Sequence, residues 1–346
     1  MKKKPFFFHL FLFALLILTG TTVRAQYAPD VLGDGYVYRT IRMPDDYEGK
    51  VVCTLVKKPP LPETKQAVLY IHGYNDYFFQ AQLGDSINAH GYNFYALDLR
   101  KYGRSILPNQ NPFFCKSLKE YYADLDTALA IIRKEGNERI ILMAHSTGGL
   151  ITPSYLNSKA GKLPIDGLIL NSPFLDWNFG WIMEKVVLPT VAFIGRFFPN
   201  LTVQGHGDAS YAHSLLKQFE GEWEYDTRWK MTNGHPKKAG WIHAIQEAQK
   251  TIQKGIELDC PILVMSSDKS FPESKTWNEA YLSSDIVLDI HDIQQYGAKL
   301  GQYVTRDTIP DGMHDLVLSG KTARDRVYRT IFDWLRFNPY LCSVKN

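Results

Sequence analysis

Residues Ile140-Ile141-Leu142-Met143-Ala144-His145-Ser146-Thr147-Gly148-Gly149 decide the fold. Four apolar residues predict a buried strand, and the stretch from Gly149 to Asn157 predicts a helix directly after it. Strand, abrupt turn and helix leave the Ser146 hydroxyl at the apex, where it stands clear of the sheet for nucleophilic attack. Small residues are required two positions either side, because the strand and helix backbones nearly touch. Gly148 meets that demand, and Ala144 adds one methyl group.

Working outward, apolar strand-like runs alternate with helical ones. Strands are predicted at Tyr36 to Arg42, Val51 to Val56, Ala67 to Ile71, Asn93 to Leu97, Ile140 to Met143, Gly167 to Leu170, Ile262 to Met265 and Tyr303 to Ile309. Helices are predicted at Phe78 to His90, Tyr121 to Lys134, Gly149 to Asn157, Ile242 to Lys254, Lys275 to Leu282 and Thr322 to Phe337. Continuous apolar strands separated by amphipathic segments imply an α/β fold with helices on both faces of a mostly parallel sheet, here of eight strands. The rhythm breaks from Trp177 to about Gly240, a stretch rich in Trp and Phe. The expected organisation is a core of residues 26–176 and 241–346 with a cap inserted at 177–240.

At the amino terminus, Lys2, Lys3 and Lys4 precede an apolar stretch from Pro5 to Leu18, and Val23-Arg24-Ala25 supplies small residues at the cleavage positions. Residues 1–25 therefore read as a secretory signal peptide, with a secreted or periplasmic product. Its removal lowers the 39 basic residues to 35, against 36 acidic ones, a balance of −1. No electrostatic footprint for nucleic acid remains. Cys53, Cys115, Cys260 and Cys342 admit three pairings, between which the sequence does not choose, and their spacing fits no zinc site. No cofactor is expected, and the oligomeric state is left open.

A serine nucleophile needs a base and a group that orients the base. Asp268 follows the strand Ile262 to Met265, and His314 follows the strand Tyr303 to Ile309. Both fall in carboxyl-end loops, where a parallel sheet gathers its ligands. Ser146, Asp268 and His314 are thus the expected catalytic residues, with Asp176 as the reserve acid. The backbone N–H groups of Tyr74 and Thr147 are the expected oxyanion donors, since Gly73 lets the chain bend close to a substrate. His72 and His145 read as bracing or packing residues. The charges of Asp98-Leu99-Arg100 and Arg104 read as a braced loop wall rather than an anion site.

Taken together, His72-Gly73, Asp98-x-Arg100, Gly103-x-Ser105, Ala144-His145-Ser146-Thr147-Gly148-Gly149, Ser267-Asp268 and Gly312-Met313-His314-Asp315 resemble the α/β-hydrolase superfamily. Within it they resemble the serine aminopeptidase S33 and monoacylglycerol lipase-like group, which includes lysophospholipases. The chain departs from that pattern at Ala144 and Tyr102, and in the 45 residues between Asp268 and His314, a length supplied by the stretch from Asp285 to Gly301. The resemblance implies a Ser–His–Asp hydrolase acting on carboxylic esters. An aromatic cap, with Trp177, Phe179, Trp181 and Met183 nearest the nucleophile, favours a lipid-like acyl ester as the small-molecule substrate and leaves transient membrane contact open. The alternatives are an S33-type aminopeptidase, with Glu184, Glu220, Glu222, Glu224 and Asp226 available to hold an α-amine, and a non-catalytic binding protein on the same scaffold.

Overall fold

Strand alternation on a buried sheet sends odd and even residues to opposite faces, and a computed structural model shows both faces filled. The structure describes residues 27–59, 61, 63–159, 161–205, 209–274 and 276–342. The expected signal peptide therefore lies outside the described residues.

Among the described residues eleven strands form: β1 (Ala28–Pro29), β2 (Val37–Asp46), β3 (Gly49–Lys57), β4 (Gln66–Ile71), β5 (Asn93–Asp98), β6 (Arg139–His145), β7 (Gly167–Asn171), β8 (Thr202–Gln204), β9 (Lys237–Lys238), β10 (Ile262–Ser267) and β11 (Val304–Ile309). Nine of them make one sheet in the order β1-β2-β3-β5-β4-β6-β7-β10-β11. β1, β2, β3 and β5 pair antiparallel, and all pairings from β5 through β4, β6, β7 and β10 to β11 are parallel. The eight expected strands are present. The ninth is the two-residue β1 at the edge, too short to leave a periodic signal. β8 and β9 make a separate antiparallel pair.

The helices are α1 (Ala81–Ala89), α2 (Tyr122–Lys134), α3 (Gly148–Asn157), α4 (Leu188–Phe197), α5 (Ser210–Leu215), α6 (Ala239–Gln253), α7 (Ile290–Gly297), α8 (Lys321–Phe337) and α9 (Pro339–Cys342). Leu69, Ile71, Leu142 and Ala144 pack with Leu125, Leu150 and Ile245, so α2, α3 and α6 cover one face. Val68, Tyr70, Ile141 and Met143 pack with Leu83, Val327 and Ile331, so α1 and α8 cover the other. The helix expected from Phe78 starts only at Ala81, because the Phe78 N–H donates to Asp98 and the Phe79 N–H to the Gln80 side chain. The helix expected at Lys275 to Leu282 is reduced to a 3₁₀ turn, Glu279–Leu282, which Asn278 caps by accepting the Ala280 N–H.

Between β7 and β10 the chain leaves the sheet. This excursion carries α4, the β8–β9 pair, α5 and α6. Leu188, Ala192 and Gly195 form the buried side of α4, and a Cβ at Gly195 would lie 2.1 Å from the Ala239 carbonyl oxygen, so α4 and the start of α6 touch backbone to backbone. Cys53, Cys115 and Cys260 are buried free thiols, so none of these three pairs with another. Burial raises all three thiols, Cys115 and Cys260 to about 12. Among the described residues no helix is long and apolar enough to cross a membrane.

Candidate active site

β6 delivers Ser146 into a turn with φ of +50°, a left-handed conformation uncommon outside glycine. Its neighbours explain how the turn is held. The Ser146 N–H donates to the Asn171 carbonyl at 3.1 Å, and its own carbonyl accepts the Phe174 N–H at 2.9 Å. Glycine is required around it by contact. A Cβ at Gly148 would sit 2.5 Å from the His72 carbonyl oxygen, one at Gly149 2.6 Å from Pro173 Cβ, and one at Gly73 3.0 Å from Ser146 Cβ. The extra methyl of Ala144 is fully buried within the core and is accommodated there.

The loop after β11 brings His314 to Ser146, with Nε2 3.0 Å from Oγ. His314 Nδ1 lies 3.0 Å from Asp285 Oδ2. A carboxylate only accepts, so Nδ1 carries the proton and Nε2 faces the serine hydroxyl as acceptor. Asp285 is fully buried. Its second oxygen, Oδ1, accepts the backbone N–H groups of Val287 at 2.9 Å and Leu288 at 2.8 Å. Both carboxylate oxygens are therefore directed. His314 is packed by the His145 ring at 4.8 Å and by Tyr211, edge-on at 5.5 Å.

His314 therefore pairs with Asp285 and not with the expected Asp268. Asp268 is exposed, and its carboxylate accepts the Asp311 N–H at 3.0 Å, which steadies the start of the His314 loop; the ring nitrogens of His314 are taken by Asp285 and Ser146. Asp285 reaches the end of β10 by returning along it: the Asp285 N–H donates to the Lys269 carbonyl, and the Phe271 N–H donates to that of Asp285. The acid stands beside the expected strand, but the chain supplies it 17 residues later in sequence. The 45-residue separation between Asp268 and His314 is the signal for it, because that extra length contains a second aspartate inside an apolar run, Asp285-Ile286-Val287-Leu288. Asp176 accepts the Trp177 N–H and lies outside the Ser146–His314 pair.

The remaining expected residues are placed as follows. Among the described residues, no hydrogen bond takes up the backbone N–H of Tyr74 or Thr147. Both stand beside the serine, one after Gly73 and one at the start of α3, whose amino-terminal dipole favours negative charge. His72 is engaged at both nitrogens: Nδ1 lies 2.8 Å from the Gly73 carbonyl, and Nε2 accepts the Leu99 N–H. It braces the loop. Burial holds His145 below the usual histidine range, so it is neutral. Arg104 pairs with Asp98 and Asp30, and Arg100 with Asp124, all buried, which is a braced wall.

Of the cap residues, Trp177 is buried, with Phe174 at 4.8 Å and Trp241 at 6.0 Å between ring centroids. Trp241 continues to Tyr74 at 4.4 Å, and Tyr74 to Phe113 at 5.4 Å. An aromatic wall thus runs from the residue bonded to Ser146, past Tyr74 in the loop after β4, to Phe113 in the loop after β5. Phe179 stacks on Trp177, but Trp181 and Met183 point to solvent. Their exposure sets them apart from the buried aromatic wall.

A family profile described as serine aminopeptidase, S33, matches residues 62–276. No curated protein matches the chain by sequence. Among solved structures, a soluble variant of monoglyceride lipase from Saccharomyces cerevisiae, in complex with a substrate analog, superposes with a TM-score of 0.65 at 16% identity, covering 90% of this chain and 98% of that one. The monoacylglycerol lipase of Paleococcus ferrophilus gives 0.60 at 17% identity, covering 82% and 98%. A thermostable carboxyl esterase from Bacillus coagulans, with glycerol, gives 0.57 at 14% identity, covering 86% and 98%. At these identities the structures carry the fold.

Proposed function

The chain belongs to the serine aminopeptidase S33 family of α/β-hydrolases, and on that premise we propose that it is a serine hydrolase of lipid-like carboxylic esters. The carrying observation is the buried relay of Ser146, His314 and Asp285, with both links at 3.0 Å. Ser146 attacks the acyl carbon while His314 Nε2 takes its proton. Asp285 fixes the tautomer and faces the imidazolium that forms. The negative charge that develops on the carbonyl oxygen falls to the Tyr74 and Thr147 N–H groups. The collapse of this intermediate leaves an acyl-enzyme, with His314 returning its proton to the departing alcohol. Water then repeats the sequence.

The apolar character of the aromatic wall, which begins at Phe174, the residue bonded to Ser146, and reaches Tyr74 next to Gly73, supports an acyl substrate. Phe193, Phe197, Phe198, Trp181 and Ile182 add an exposed apolar face on the cap, with Lys185 and Arg196 beside it. That pairing suits transient contact with an anionic lipid surface. The leader-like residues 1–25 support export, which amino-terminal sequencing of the released protein tests.

The aminopeptidase reading keeps one observation. Asp292 is raised to about 6 by burial and by the neighbouring carboxylates of Asp176, Asp289 and Glu184, a group that an α-ammonium would neutralise. Three of the acids expected from the sequence are engaged: Glu222 with Arg324, Glu224 with Lys217 and Asp226 with Arg228. Hydrolysis of p-nitrophenyl esters of graded chain length, run beside aminoacyl-p-nitroanilides, separates the two. Each methylene buried is worth about 0.8 kcal/mol, so kcat/KM should rise several-fold per added methylene over the first few. Faster turnover of the anilides would reverse the assignment.

A further inference from the structure

Three consecutive residues of the loop after β4 are each tied to the segment that crosses above them, 226–231. The Asn75 side chain donates to the Met231 carbonyl and accepts the Met231 N–H, each at 2.8 Å. The Tyr77 hydroxyl accepts the Asp226 N–H at 2.8 Å. Between these links, Lys230 Nζ donates to Asp76 Oδ1 at 2.9 Å, with side-chain exposures of 6% and 1%. The ammonium lies 5.4–5.7 Å from the ring centroids of Phe79, Tyr211 and Tyr225. Tyr211 in turn packs on His314.

A fully desolvated ion pair is costly to bury, and an apolar pair of similar volume would hold two segments together about as well. What the pair adds is direction. Asp76 sits two residues after Tyr74, and its other oxygen faces the Gly73 N–H at 3.4 Å. Burial raises this carboxyl, but the ammonium of Lys230 outweighs burial and holds it below the usual range. An anchored Asp76 fixes the turn from Gly73 to Asn75, and with it the direction of the intervening N–H.

We propose that Lys230 is a positioning residue that, through Asp76, aims the Tyr74 N–H at the oxyanion. This rests on the serine-hydrolase reading above. A displacement of about 1 Å at such a donor costs on the order of 100-fold in rate, and loss of a donor costs about 100- to 1,000-fold.

The test measures p-nitrophenyl butyrate kinetics, fluorophosphonate labelling rates and Tm for the wild type, Lys230→Met, Lys230→Arg and the double variant Lys230→Met/Asp76→Asn. Lys230→Met should lower kcat and the labelling rate together by about 10- to 100-fold, with KM within about threefold. Lys230→Arg should recover most of the loss. The double variant removes both buried charges, so its Tm should recover while kcat stays low. A folded Lys230→Met variant with kcat within twofold of wild type overturns the proposal. So does a double variant that regains both Tm and kcat, since Lys230 would then serve stability alone. If Lys230→Met does not fold, the double variant carries the same comparison. Wild-type protein that never reacts with the probe refutes the serine-hydrolase reading; equal labelling of wild type and Lys230→Met refutes this inference alone.

Discussion

Replacing Asp285 by Asn changes one oxygen to an amino group, and the surroundings decide which one. Oδ1 accepts the N–H groups of Val287 and Leu288, at 2.9 and 2.8 Å. An amino group placed there would lose two hydrogen bonds and face two donors, at about 1–3 kcal/mol for each buried group left unsatisfied. The amide oxygen therefore keeps that side, and the amino group takes the position of Oδ2, 3.0 Å from His314 Nδ1. Two donors cannot share that contact, so His314 adopts the other tautomer. Nε2 then carries hydrogen toward Ser146 and no longer accepts its proton. By the behaviour of other triads, kcat should fall about 10⁴-fold. Asp268→Asn is the internal control. It touches one solvent-exposed hydrogen bond from Asp311, worth about 1 kcal/mol at most, and turnover should stay within a few-fold of wild type. Initial rates on a p-nitrophenyl ester, with Tm recorded for each variant, decide it. Asp285→Asn within tenfold of wild type, or a crippled Asp268→Asn, would refute the relay described here.

Gly148→Ala should give little folded protein, because the added Cβ meets the carbonyl oxygens of His72 at 2.5 Å and Ile71 at 2.8 Å, both backbone atoms; a soluble variant with wild-type Tm would contradict that contact. His145 carries a pH dependence whose sign follows from burial. Its folded pKa is depressed, so as pH falls below about 6.5 the unfolded chain takes up a proton that the folded chain does not. Stability should therefore drop on the acid side, and His145→Gln should remove part of that slope in chemical-denaturation curves at pH 5 and 7.

The fold was legible because a strand buried on both faces has no polar positions, and runs such as Ala67 to Ile71 and Ile262 to Met265 therefore stand out from their flanks. The two-residue strands Ala28–Pro29 and Lys237–Lys238 are held by their partners and leave no period to read. Ser146 was legible because it directly follows such a run, and the place of His314 because it lies in the loop after the last strand, Val304–Ile309. Asp285 was not, because its place is set by a backbone that leaves β10, wanders and returns to pair at Ser270. Adjacency in sequence pointed to Asp268, and adjacency in space selects Asp285. The cap was the least legible part. Trp177 and Trp181 look alike in sequence, yet one is buried against Trp241 and the other is 70% exposed. Lys230 carried no signal, since its partner lies 154 residues away.

Activation of Ser146 as a nucleophile by His314 is the step on which the proposed function depends. Mass-spectrometric mapping after fluorophosphonate treatment tests it most directly. One stoichiometric adduct is expected on the peptide containing Ser146, absent in Ser146→Ala and strongly slowed in His314→Ala. An unmodified Ser146 peptide, or an adduct at another residue that persists in Ser146→Ala, would contradict it.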